Sequence, residues 1–338
     1  MPDRPLSTAD FSYALDSALI AQRPLPDRAA SRLLVLHRES GAVAHRSFRD
    51  LPGLLRRGDL LVRNTSRVIP ARLTGVRDNG RPAEILLVRP EADGAWLAMV
   101  HPGGKLKAGR TVRFGDDATA EIGEAMGGGL RRLRFSGRLD PPALMQRYGA
   151  TPLPPYIERP AEAGDRDRYQ TVYAREDGSI AAPTAGLHFT PQLLAAIEQN
   201  GVGIADVVLH VGPGTFKPVQ AEQLAHHSMH AEWYSLPPET GARIVDTKAA
   251  GGRVVAVGTT TARVLESGLG SGWTRLFIHP PYRFTAVDAL LTNFHLPRST
   301  LLMLVAAFAG YQNVMAAYQE AARERYRFYS YGDAMLIL

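Results

Sequence analysis

Val68-Ile69-Pro70-Ala71-Arg72-Leu73-Thr74-Gly75-Val76 opens the stretch that decides the fold. The runs Ala83–Arg89, Ala95–Val100, Arg110–Phe114, Thr119–Glu124 and Leu130–Phe135 continue it. Asp78-Asn79-Gly80, Ala92-Asp93-Gly94, Gly103-Gly104, Gly115-Asp116-Asp117 and Gly127-Gly128-Gly129 separate them. Turn chemistry at such short spacing, with no helical period between, predicts an antiparallel barrel or sandwich. Six short strands suit a small closed barrel, because closure removes exposed edges.

The flanks read as α/β. Thr190-Pro191 is a helix start before Leu193, Leu194 and Ile197, and Gly201 ends that helix. Strands are expected at Ile204–His210, Arg253–Val257 and Thr274–Ile278, with helices over Pro237–Ala250, from Gly258-Thr259-Thr260-Thr261 onward, and over Tyr311–Tyr326. Alternating strand and helix implies a largely parallel sheet covered by helices. The first sixty residues share this character. The fold class is therefore an α/β main domain, residues 1–62 plus 150–338, interrupted by an inserted six-stranded antiparallel β-barrel at 63–149.

Composition narrows the function. With 338 residues, 45% hydrophobic and 21% charged, the chain is ordinary for a globular protein. Its longest apolar run, Leu301–Ala309, is of buried-core length, so no membrane span is expected. Met1-Pro2-Asp3-Arg4 does not begin a signal peptide. The absence of Cys excludes disulfides, Cys-ligated metal and a thiolate nucleophile. A cytoplasmic enzyme or binding protein is the expectation. Of the net charge of +6, residues 60–150 carry a surplus of the same size, and the flanks nearly cancel. Arg is the better fork for phosphate oxygens, so Arg131, Arg132 and Arg134 are candidate nucleic-acid contacts.

Generic cofactor signatures are missing. There is no GxxxxGK[ST], GxSxG or HExxH, and Lys217 replaces the third glycine of a dinucleotide fingerprint begun by Gly212-Pro213-Gly214. His226, His227, His230 and Glu232 are close in sequence, with His226 and His230 on one face if helical. Adjacent histidines point apart and no Cys completes a set, so polar contacts to a substrate are preferred to a metal. Three turns crowd small residues against His, Thr and Asn: Ala182–Phe189, His210–Phe216 and Thr292–Pro297. Each alone reads as a tight turn with a packed His; three at the edge of one sheet read as a polar pocket. The Gly258–Thr261 turn adds N–H groups and hydroxyls suited to a carboxylate or a ribose.

Further runs complete a pattern: Asp10-Phe11-Ser12-Tyr13, Leu19-Ile20-Ala21-Gln22, Arg67–Leu73, Arg168–Ala174, His227–Glu232, Gly258-Thr259-Thr260 with Arg263, and Tyr331-Gly332-Asp333-Ala334-Met335. Together with the three turns they resemble the S-adenosylmethionine:tRNA ribosyltransferase-isomerases, from residue 10 to 335. Two departures stand out. Pro281 replaces the family's Gly after Pro280 and has no N–H to offer, and Thr261-Ala262 replaces Ser-Val.

The resemblance implies an α/β domain interrupted by a small barrel, a monomer, and a step of queuosine synthesis. The ribosyl part of S-adenosylmethionine moves onto the aminomethyl group of preQ1 at the tRNA wobble position and is isomerised, with release of adenine and methionine. S-adenosylmethionine is then a consumed substrate, with no separate cofactor. Such chemistry needs a base near the sulfonium-activated C5′, a donor to the departing adenine, and carboxylates or aromatic faces against positive charge. His188, His210, His230, His295 and Asp333 are the catalytic candidates. Thr184, Gly186, Phe189, Gly212, Gly214, Thr215, Glu232, Gly258, Thr259, Thr260, Arg263, Asn293 and Tyr331 are the substrate-binding candidates. The competing reading is a non-catalytic RNA-binding protein, which would bind tRNA regardless of preQ1 and release no adenine.

Overall fold

The structure, a computed structural model, describes residues 6–338 apart from 217, 218, 220, 225 and 226. Its larger sheet has nine strands, in the order Gly270–Thr274, Glu232–Leu236, Gly203–Leu209, Leu60–Asn64, Val254–Val257, Ala289–Asn293, Ala334–Ile337, Arg32–Leu36 and Val43–Ser47. The run from Gly203–Leu209 to Ala289–Asn293 is parallel throughout. Val254–Val257, Ala289–Asn293 and Ala334–Ile337 are buried at every position, as strands covered on both faces must be.

The expected largely parallel sheet is thus only half parallel: outside that run, Arg32–Leu36 alone pairs in parallel, with Ala334–Ile337. Both margins, and the junction of Ala289–Asn293 with Ala334–Ile337, are antiparallel. The strand expected at Thr274–Ile278 is instead Gly270–Thr274, paired with Glu232–Leu236. Edge position explains the miss: a mostly exposed Gly-Ser-Gly-Trp-Thr strand carries little apolar signal.

Helices form where caps and apolar spacing agree. The Thr190 hydroxyl accepts from Leu193 N at 3.2 Å and Pro191 sits in the first turn of Pro191–Gln199, which buries Leu193, Leu194 and Ile197. Ser299 caps Thr300–Ala309 in the same way. Gly310, at φ +85°, then turns the chain by 116° into Tyr311–Arg323. Among the described residues no single helix is long and apolar enough to cross a membrane.

The second sheet is wholly antiparallel. Arg72–Arg77, Pro82–Pro90, Trp96–His101, Leu130–Gly137, Ala118–Gly127 and Thr111–Phe114 follow one another, and the last pairs back with the first to close a ring of six strands. Gly75 permits that closure, since a Cβ there would lie 2.6 Å from Val112 and 2.7 Å from the Arg113 carbonyl. Leu73, Ile85, Leu87, Val112, Phe114, Ile122 and Leu133 fill the interior as a separate apolar cluster. Val68–Val76 does not form one strand: Ser66–Val68 pairs with Glu176–Ser179, and the ring begins only at Arg72. Pro70, which has no N–H to donate, stands at the break.

This topology positions the site. The parallel strands end together at Leu209, Asn64, Val257 and Asn293, where crevices of open α/β sheets lie. After Asn64 the chain passes through the short strand Ser66–Val68 and enters the ring at Arg72.

Candidate active site

The turns that follow those strand ends enclose two joined cavities. The inner chamber is lined by Thr184, Thr215, Gly258, Thr259, Thr260, Thr292, Asn293, His295 and Tyr329. The outer one, about 630 Å³, shares Thr215 and Thr260 with it and adds Gly214, His227, His230, Glu232 and Arg263. A groove of about 780 Å³ continues from His230 and Glu232 past His210 and Gly212, beneath the ring.

Glu232 and Arg263 form a buried ion pair on the outer wall. The other Glu232 oxygen accepts the Gly212 N–H at 2.8 Å, and Arg263 Nε donates to the Leu276 carbonyl at 3.1 Å. Arg263 Nη2 is buried without a partner, and so is Asn293 Oδ1 on the inner chamber. One orphan donor and one orphan acceptor on adjacent walls suit a polar ligand, because buried polar groups are otherwise nearly always paired.

The histidines divide by environment. His188 lies between Ser31 (Nδ1 to Oγ, 2.8 Å) and Asn293 (Nε2 to Nδ2, 3.2 Å) and stacks on Phe48. His295 Nε2 meets Thr292 Oγ1 at 2.7 Å. Burial holds both neutral, with pKa values near about 3. His210 is less enclosed; burial also lowers its pKa, and Ser66 Oγ at 2.8 Å fixes Nδ1. His230 is exposed and flanked by glycines. A Cβ on Gly214 would lie 2.7 Å from its Cδ2, and one on Gly128 of the ring 2.7 Å from its Cε1.

The two buried neutral histidines make stability depend on pH with a definite sign. Between about pH 3 and 6.5 the unfolded chain binds protons at these positions that the folded chain refuses, so stability rises with pH and is complete above 6.5. It falls as pH drops, by about 1.4 kcal/mol per unit for each residue. Denaturation at pH 5 should therefore show a loss of roughly 2 kcal/mol per histidine relative to pH 7.5, with a shallower slope in His188→Gln. Identical slopes in the two proteins would contradict a neutral buried His188.

Several predicted residues face away from the cavities. Gly186 packs on Tyr173, whose Oη lies 2.2 Å from where a Cβ would be, and Phe189 is core against Phe48 and Tyr173. His188 and Tyr331 reach only a small crevice on the far side of the Thr184–His188 turn. Tyr331 donates to Asp165 at 2.8 Å. Asp333 accepts the N–H groups of Arg32 (2.9 Å) and Arg327 (2.8 Å) and so staples backbone. Burial raises its pKa. His226 and Lys217 lie outside the described residues, and His227–His230 is not helical. Among the described residues no three His, Asp or Glu side chains gather as for a metal. Pro281 lines none of these cavities.

The family model described as "Queuosine biosynthesis protein" matches residues 8–337. This chain belongs to that family. It is 52% identical to the S-adenosylmethionine:tRNA ribosyltransferase-isomerase of Moorella thermoacetica, over 97% of this chain and 99% of the relative. It is 51% identical to that of Heliobacterium modesticaldum, over 98% and 100%. A crystal structure of S-adenosylmethionine tRNA ribosyltransferase from Thermotoga maritima superposes with TM-score 0.56 at 41% identity, covering 97% of this chain and all of the other.

In this member of the queuosine biosynthesis family, sequence reasoning missed residues that shape the site from the strand ends. Asn64 Nδ2 donates to the Leu209 carbonyl at 2.9 Å and approaches Thr260 Oγ1 at 3.4 Å, tying three strand-end turns together. Ser66 and Ser179, 2.6 Å apart, carry a hydroxyl chain to His210. Tyr329 lines the inner chamber at φ +69°, an unusual backbone state for a bulky residue. Of the three candidate arginines, Arg132 reaches Glu91 at 2.9 Å as well as Asp93, and Arg134 reaches Asp93 at 2.7 Å. Both are engaged by acidic neighbours on the ring.

Proposed function

We propose that this chain is an S-adenosylmethionine:tRNA ribosyltransferase-isomerase acting on preQ1 at the tRNA wobble position. It would release adenine and methionine and leave epoxyqueuosine. One observation carries the reading beyond kinship: a small chamber lined by threonine hydroxyls and Asn293 adjoins a cavity walled by His230 and Glu232, which continues into a groove of about 780 Å³. The outer cavity, about 630 Å³, has the volume for S-adenosylmethionine, and the inner chamber, about 50 Å³, offers Asn293 Oδ1 and threonine hydroxyls to one polar end of it. Arg263 Nη2 suits a carboxylate oxygen.

His230 is the best-placed base. Loss of a proton from the sulfonium-activated C5′ leaves an electron pair on that carbon, and the deprotonated preQ1 amine supplies a second pair; they form the C1′–C5′ and C1′–N bonds as C1′ gives up adenine and the ring oxygen O4′, each leaving with its bonding pair. O4′ then displaces methionine from C5′ to close the epoxide, adenine takes up a proton, and the new secondary amine sheds one. His295, held neutral, orients through Thr292 and does not trade protons.

The ring at 63–149 is read as an inserted barrel with its own apolar interior, beside an α/β unit of 1–62 and 150–338. Arg131, Arg132 and Arg134 are read as phosphate contacts, the last two from within surface ion pairs with Glu91 and Asp93 that an RNA backbone can compete with. A cytoplasmic monomer without a cofactor accompanies the reading. With S-adenosylmethionine and a preQ1-containing anticodon stem-loop, adenine and methionine should appear in equal amounts, and none should appear with unmodified guanine at that position. RNA binding with no adenine release would favour a non-catalytic RNA-binding protein.

A further inference from the structure

The chain has three tryptophans, and all three line the groove beneath the ring. Trp96 comes from the ring, while Trp233 and Trp273 face each other across the antiparallel margin of the large sheet. Trp273 is 53% exposed, an unusual state for the largest apolar side chain. His210 stacks on Trp233 at 5.2 Å and 20°, and the Arg89 guanidinium lies 4.6 Å above the Trp273 ring. Arg275 lines the same groove, and the wall continues into the outer cavity at His230 and Glu232.

We infer that this groove binds the unpaired bases flanking the modified nucleotide, stacked on Trp273 and Trp233, with Arg89 and Arg275 toward the phosphates. The inference rests on the proposed function and deepens it. Aromatic platforms interleaved with cations are what single-stranded RNA needs, since every base has a π-face and its backbone is anionic. A side chain meant only to join ring and sheet would be expected to lose its exposure. Continuity with the reactive cavity lets neighbouring nucleotides hold the wobble base there.

Trp273→Ala, Trp273→Phe and wild type should be compared for KM and kcat with the preQ1 stem-loop. Stacking predicts a KM for RNA raised about tenfold or more in the alanine variant, largely restored by phenylalanine, with the effect on KM rather than kcat. Stem-loops with abasic sites beside the wobble position should lose affinity for wild type and little for Trp273→Ala. The KM for S-adenosylmethionine reports the inner cavities and should not move. An active Trp273→Ala enzyme with unchanged RNA KM would overturn the inference and leave the proposed function standing. So would a change confined to self-association, which would make the face a contact with a second copy. Failure of wild type to release adenine would instead overturn the function.

Discussion

His230→Ala is expected to lower adenine release by a factor of about 100 or more, the usual contribution of a positioned acid or base. Stability should stay within about 0.5 kcal/mol of wild type, because His230 is exposed and its removal opens no core. It lines both the outer cavity and the groove, the two spaces proposed above for S-adenosylmethionine and the RNA. His188 and His295, with pKa values near about 3, are poor acceptors at neutral pH, and burial lowers His210 too. His188→Ala should accordingly act on stability through the stack on Phe48. Full activity in His230→Ala with loss in His210→Ala would move the proton chemistry to the Ser66-bound imidazole.

Arg263→Ala should cost about 3–5 kcal/mol, the range for leaving one member of a buried pair charged and alone. Both side chains are less than a tenth exposed. Activity should fall with it, because Glu232 also holds the Gly212 N–H and thereby the turn that forms the cavity wall. Replacing Glu232 and Arg263 together by apolar residues of similar volume should recover most of the stability but not the turnover. Urea denaturation of the single and double variants separates the two. A loss under about 1 kcal/mol in Arg263→Ala would mean the pair behaves as a solvated one.

Strands with a buried interior were legible because alternation and turn residues agreed. The ring strands from Pro82 to Gly137 follow the runs closely, and the N-cap at Thr190 stands where the sequence put it. Elements failed where another force dominated: Pro70 broke a continuous apolar run, and Gly270–Thr274 is held by pairing at an edge. The site was half legible for a related reason. Small residues, His, Thr and Asn mark the strand-end turns, but a short 3-10 turn sends its side chains both ways. Within Thr184–His188, Thr184 lines the chamber while His188 meets Ser31 and Phe48 behind it. Asp333 looked like a free carboxylate, yet its partners are backbone amides, one of them from Arg32 near the other end of the chain. The tryptophans at 96, 233 and 273 share no period and meet only through tertiary structure.

If these joined cavities act as proposed, they transfer the ribosyl group of S-adenosylmethionine and leave its methyl on methionine. Two samples of S-adenosylmethionine, one labelled in the ribose and one in the methyl group, test it on the same preQ1 stem-loop. Ribose label is expected in the RNA, one per RNA converted and matched by adenine released, with all methyl label in free methionine. Methyl label in the RNA, without adenine release, would contradict it.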